Sequence, residues 1–205
     1  MSSNYDLMME QARNLFLHYD LQKACRRLSL PCSDREIPIR FLGEEFFICC
    51  ADGHVLDAAG QPADFNTVMS VYDVLCRSEI TPVLKGEFVP TTALSRIHGT
   101  QPIHEDLHAG HAAFFTGKAA ELSALCLRLG GSPWGHGDVS FILPVFDFFP
   151  VRVCFWDADE EFPASLQFFR DANALDFLHY ETLWYIANAL IERFRQELSG
   201  TAQIS

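Results

Sequence analysis

Val139-Ser140-Phe141-Ile142-Leu143 and Val151-Arg152-Val153-Cys154-Phe155-Trp156 are two short apolar runs, separated by a segment that opens at Pro144 and closes at Pro150. Each has the length of a strand and falls short of a helix, and each is bounded by residues that interrupt regular structure. The two therefore read as neighbouring antiparallel strands. Just upstream, Gly130-Gly131-Ser132-Pro133 closes a helical pattern over about 103–129, which Gly110 and Gly117 weaken. Just downstream, Ser165 is a helix-start signal and predicts a helical turn over 166–170, followed by a last helix over 180–198 with Leu183, Ile186, Leu190 and Phe194 inward.

The N-terminal half is read in the same way. Residues 4–28 carry Leu7, Met8, Ala12, Leu15, Phe16 and Tyr19 at helical spacing, which predicts one helix. Ile37, Ile39 and Phe41 then alternate with Pro38, Arg40 and Leu42, the first strand of a three-stranded meander over 37–58. Gly43-Glu44 is its first turn, and Asp52-Gly53 its second, a two-residue hairpin in which both turn positions take positive φ. Asp64 caps a helix over 65–77. Residues 79–101 are irregular, or hide a short strand at 87–89. This order lacks the strict strand–helix alternation of a parallel sheet. It predicts a single α+β domain over 1–198, an antiparallel sheet (N-terminal meander plus C-terminal strand pair) packed with helices, and a frayed tail over 199–205.

Composition bounds the function. Hydrophobic residues make up 49% of 205, enough for a sizeable core, while the net charge of −12 argues against nucleic acid and anionic membranes as partners. No run approaches a membrane helix and the first residues lack a secretion signal, so a cytoplasmic location is expected. The seven Cys are odd in number, include no Cys-x-x-Cys, and sit mostly in apolar segments, which suits reduced thiols acting as small hydrophobes.

Three constellations could carry chemistry. His104-Glu105-Asp106-Leu107-His108 matches the H-E-x-x-H spacing of zinc hydrolases, in which two imidazoles hold the metal and the Glu activates water. On a helix His104, His108 and His111 fall at about 0°, 40° and −20°, one face that could hold one ion. Against this, Asp106 is a charge where such enzymes keep an uncharged residue, and His111 stands where the longer motif has Gly. Histidines bordering a helix's polar face are the plainer reading. The second constellation is Asp157, Asp159, Glu160 and Glu161, oxygen ligands for a divalent cation or partners for a polar ligand. An EF-hand fails, because Phe162 and Phe168 occupy the positions that need Gly and Glu; the plainer reading is a solvated turn near the helix that Ser165 would cap. The third is 130–138, where four glycines let backbone approach a ligand and Trp134, His136 and Asp138 could contact it. It is neither a Walker loop nor a dinucleotide fingerprint, and a helix end followed by a tight turn also explains it.

The Gly137-Asp138 turn, the Pro144 and Pro150 strand pair, the run Trp156-Asp157-Ala158-Asp159-Glu160-Glu161-Phe162-Pro163-Ala164-Ser165 and the segment Asp171-Ala172-Asn173 with Glu181 together resemble DUF3786, a family of bacterial and archaeal proteins of unknown function. The resemblance implies an origin mainly in anaerobes, where some relatives look like fusions to an iron–sulfur domain of the kind seen in corrinoid proteins. The closely spaced Cys of such a cluster are missing here. No catalytic residues carry over, and the His104–His108 match is not part of the family pattern.

The expectation is a non-catalytic accessory protein of anaerobic metabolism that binds a small molecule or cation in a pocket between the 134–138 loop and the 156–165 turn. Trp134, His136, Asp138, Trp156, Asp157, Asp159, Glu160 and Glu161 would contact it. The alternative is a metal-dependent hydrolase with His104, His108 and His111 on a zinc ion and Glu105 as base. A third reading is an interaction module whose exposed Phe residues meet a protein partner or a second copy in a homodimer. A divalent metal ion is the one cofactor to which these residues point.

Overall fold

The structure, a computed structural model, describes residues 4–94 and 109–201. Along the chain it comprises α1 (Asn4–Phe16), α2 (Leu21–Leu28), β1 (Glu36–Phe41), β2 (Glu44–Cys49), β3 (Val55–Asp57), α3 (Phe65–Arg77), β4 (Phe88–Pro90), α4 (Ala109–Ala112), α5 (Ala119–Arg128), β5 (Ser132–Pro133), β6 (Val139–Phe146), β7 (Phe149–Trp156), β8 (Ser165–Asp171) and α6 (Thr182–Thr201). All strands join one antiparallel sheet in the order β3-β2-β1-β6-β7-β8-β4, with β5 pairing separately along β6. The two apolar runs are indeed antiparallel neighbours, Val139 opposite Phe155 and Leu143 opposite Val151. Pro144 faces Pro150, and the register slips beside them because neither can donate to the ladder.

The meander and the C-terminal strands meet where Phe41 pairs with Phe146 and Leu42 N–H donates to the Val145 carbonyl at 2.8 Å. One core cluster runs from Phe16 to Leu198. In β6–β8 the positions Val139, Phe141, Leu143, Val151, Val153, Phe155, Leu166 and Phe168 are all buried, as alternation on a helix-covered face requires. The opposite positions are wetter: Ile142, Arg152 and Phe169 are half-buried, and Trp156 and Gln167 are exposed.

Four expectations are corrected. The helix over 4–28 is two helices, because Asp20 leaves helical geometry and its carboxylate caps Lys23 N–H at 3.0 Å. The 166–170 turn is strand β8: Leu166, Phe168 and Arg170 point one way and Gln167 and Phe169 the other, and pairing with β7 along six residues outweighs a local cap signal at Ser165. In the 103–129 pattern, α4, a short 3-10 turn over 113–115 and α5 are separate, broken at Gly117 with φ +72; residues 103–108 lie outside the described residues. Finally, the hairpin turn with two positive φ angles is Leu42-Gly43, at +50 and +82, whereas at Asp52-Gly53 only Gly53 is positive. The strand hidden in the 79–101 segment is β4, and α6 continues through Ser199 to Thr201.

Candidate functional site

The 134–138 loop enters β6 and the 157–164 loop leaves β7, so the pairing of Val139 with Phe155 brings both loops to one end of the sheet. Trp134 N–H donates to the Ser140 carbonyl at 2.9 Å, holding the loop as an extension of β5. Gly135 and Gly137 have positive φ. A Cβ at Gly137 would lie 3.1 Å from the Phe155 carbonyl oxygen and 3.7 Å from the Trp156 ring, so only glycine lets the loop lie this close to β7. The two loops are then tied directly: the Asp138 carboxylate accepts the Asp157 N–H at 2.7 Å. Trp134 is 49% exposed and Trp156 36%, which makes the rim an open ledge.

The acidic residues divide by role. Asp157 accepts the Gly117 N–H on both oxygens, at 2.9 and 3.1 Å, and so fastens the break between α4 and α5 to the rim. Asp159 accepts the Glu161 and Phe162 N–H groups at 2.8 and 2.7 Å, building the turn itself. Glu160, Glu161 and His136 are exposed. Of the zinc constellation, His104, Glu105 and His108 lie outside the described residues. His111 is half-buried, with Nδ1 3.3 Å from Arg195 NH1, and that guanidinium must donate. Among the described residues no group of three or more His, Cys, Asp or Glu could hold a metal ion.

One residue at the rim escaped the sequence reading. Arg152 stands on the same face of β7 as Trp156, two positions along from the buried Cys154, with its guanidinium over the Phe169 ring at 5.1 Å from the centroid. Gly135 covers its tip: a Cβ there would be 3.2 Å from NH2. The Nε atom is buried without a hydrogen-bond partner among the described residues. The signal was available, since Arg152 is the one cation in an otherwise apolar strand, and a polar residue in such a setting calls for an explanation. Beneath the rim the Cys154 thiol and Ser140 hydroxyl lie 3.3 Å apart, both buried.

Two clefts on the helical side contrast with the rim. One, of about 180 Å³, lies between α1, α3 and the start of α6; its Asp73 is taken up by His179 N–H, Thr182 Oγ1 and Arg77. The other, of about 140 Å³, holds Asp64, which caps α3, and Arg193, which is paired with Glu44 and Glu197. In both clefts the charged groups named are already paired within the chain.

A family model described as a domain of unknown function, DUF3786, matches residues 20–193. The chain belongs to the DUF3786 family. No curated protein and no solved structure matches it. Within this DUF3786 chain the Asp171-Ala172-Asn173 segment works as a clasp. The Asp171 carboxylate, 1% exposed, accepts N–H groups of Lys85 at 2.9 Å, Gly86 at 2.6 Å and Asn173 at 2.8 Å, while Asn173 Nδ2 donates to the Val83 carbonyl. That clasp anchors the 83–87 segment to the far edge of the sheet. No helix among the described residues is long and apolar enough to cross a membrane.

Proposed function

We propose that this DUF3786 chain is a non-catalytic accessory protein that holds a small ligand on the ledge where the 134–138 loop meets the 157–164 loop. The observation that carries the reading is the Asp138–Asp157 hydrogen bond, which fixes a glycine-hinged loop beside a carboxylate-built one, with the exposed indole of Trp134 on the first and that of Trp156 at the end of β7 where the second begins. Exposed, rigidly mounted Trp side chains next to convergent polar groups are what a recognition surface uses. The occupant is a small molecule in preference to a lone cation, because Asp138, Asp157 and Asp159 already accept backbone donors. Binding without chemistry is favoured because the thiol nearest the rim, Cys154, is buried and its neighbour Ser140 is no base. A role in anaerobic metabolism is carried by the family resemblance alone.

Ligand binding to the native state raises the melting temperature. A thermal-shift screen of small metabolites should therefore find compounds that stabilise the wild type and lose that effect in Trp156→Ala and Asp138→Asn. Compounds that stabilise all three proteins equally would place the binding surface elsewhere and end this reading.

A further inference from the structure

The ledge has an acidic rim and a basic floor. Arg152 has no hydrogen-bond or ion-pair partner among the described residues, in a chain of net charge −12. The Phe169 ring lies against its guanidinium, 5.1 Å from ring centroid to Cζ, and offers the buried Nε–H no acceptor. A half-buried cation without a counter-charge is costly, and a carboxylate is the geometric complement of its fork. Along the same face of β7, Trp156 follows past Cys154, and the Gly135–Gly137 backbone spans the interval. A ligand with its anionic end at Arg152 would thus have an indole available to its other end.

Resting on the reading above, we propose that the ligand class is a small aromatic monocarboxylate, its carboxylate bidentate on Arg152 and its ring against Trp156. One cation favours one negative charge. Asp138, Asp157, Asp159, Glu160 and Glu161 around the rim oppose a second, which selects a carboxylate over a phosphate ester.

The test follows the indole N–H signals of Trp134, Trp156 and Trp184 and the Arg152 Nε–H signal by NMR during titration with benzoate, phenyl phosphate, acetate, benzyl alcohol and benzylamine. Benzoate should shift Trp156 and Arg152, leave the α6 residue Trp184 in place, and bind more tightly than the other four. Arg152→Gln should weaken benzoate about tenfold to a hundredfold and leave benzyl alcohol unchanged, with Arg152→Lys between. If Arg152→Gln fails to fold, salt decides on the wild type: benzoate binding should fall as salt rises and benzyl alcohol binding should not. Equal benzoate affinity in a folded Arg152→Gln, salt-independent benzoate binding, or tighter binding of phenyl phosphate overturns the carboxylate assignment. If benzyl alcohol or benzylamine shifts Trp134 and Trp156 as strongly as benzoate, the ledge stands as a binding surface and only the carboxylate class falls. If no compound moves either indole, both readings fall.

Discussion

Single carboxylates do more structural work here than their exposure in the sequence suggests. Asp171 lies in the family motif and could be taken for a catalytic acid. Its three backbone donors and its 1% exposure instead make it the pin that holds the 83–87 segment against β8. Removing the carboxylate would leave the Lys85, Gly86 and Asn173 N–H groups without their acceptor in part-buried positions, where water replaces it only incompletely. Asp171→Ala should lower unfolding stability by roughly 3 kcal/mol. Asp171→Asn should cost about half as much, because one acceptor oxygen remains for Lys85 and Asn173. Urea denaturation would measure both, and hydrogen exchange should show the loss of protection concentrated at residues 83–87. An Asp171→Ala protein as stable as the wild type would mean that the clasp carries no load.

At the scale of elements, the loop glycines can be ranked by what each one meets. Gly137 has φ +122 and a backbone oxygen 3.1 Å from any added Cβ, and backbone cannot step aside. Gly135 has φ +66 and meets only the flexible end of Arg152. Gly137→Ala should therefore cost about 2 kcal/mol and displace the Trp156 indole signal, whereas Gly135→Ala should cost about 1 kcal/mol and displace Arg152. Thermal unfolding with NMR of the two side chains checks the order, and the reverse order would refute the close-approach argument. The same scale explains which elements could be read in advance. The 139–143 and 151–156 runs, the alternation at Ile37, Ile39 and Phe41 and the Asp64 cap are local patterns, and each became the element it predicts. The β8 strand was misread because Ser165 carries a cap signal locally, while the decisive influence, six partners on β7, is tertiary. The break at Asp20 has no Gly or Pro to mark it in the sequence. For the site, chain order alone puts the two loops at one end of a hairpin, so their meeting was legible. Arg152 was not, because what sets it apart is the lack of a counter-ion among the described residues, and a sequence does not show which acids are already engaged.

At the scale of the whole molecule, the helices and one face of the sheet enclose a core in which thiols serve as apolar filling. Cys25, Cys76 and Cys126 are buried, and burial is the first cause that pushes each of them from 9.0 up to about 12; beside Cys25 the nearby Cys32 adds to the effect. Burial also pushes Tyr72 up to about 12, and its hydroxyl donates to the Gly53 carbonyl at 2.6 Å, a bond that needs the proton. In every case the folded value lies above the unfolded one, so the folded state holds protons that the unfolded chain releases first. These groups therefore leave stability at its full value below pH 9 and withdraw it as the pH rises towards about 12, at roughly 1.4 kcal/mol per pH unit for each thiol within that window. Alkaline solution should thus unfold the domain through its core, with no surface ion pair required. Urea midpoints measured from about pH 8 to about pH 11 should fall steeply for the wild type. Cys126→Ala removes one buried thiol that burial alone perturbs, so its curve should start lower, because the packed sulfur is gone, and then fall less steeply. The two curves should converge as the pH rises. If they stay parallel across the whole range, the thiol at Cys126 ionises as freely in the folded protein as in the unfolded chain, and the core is wetter than its packing indicates.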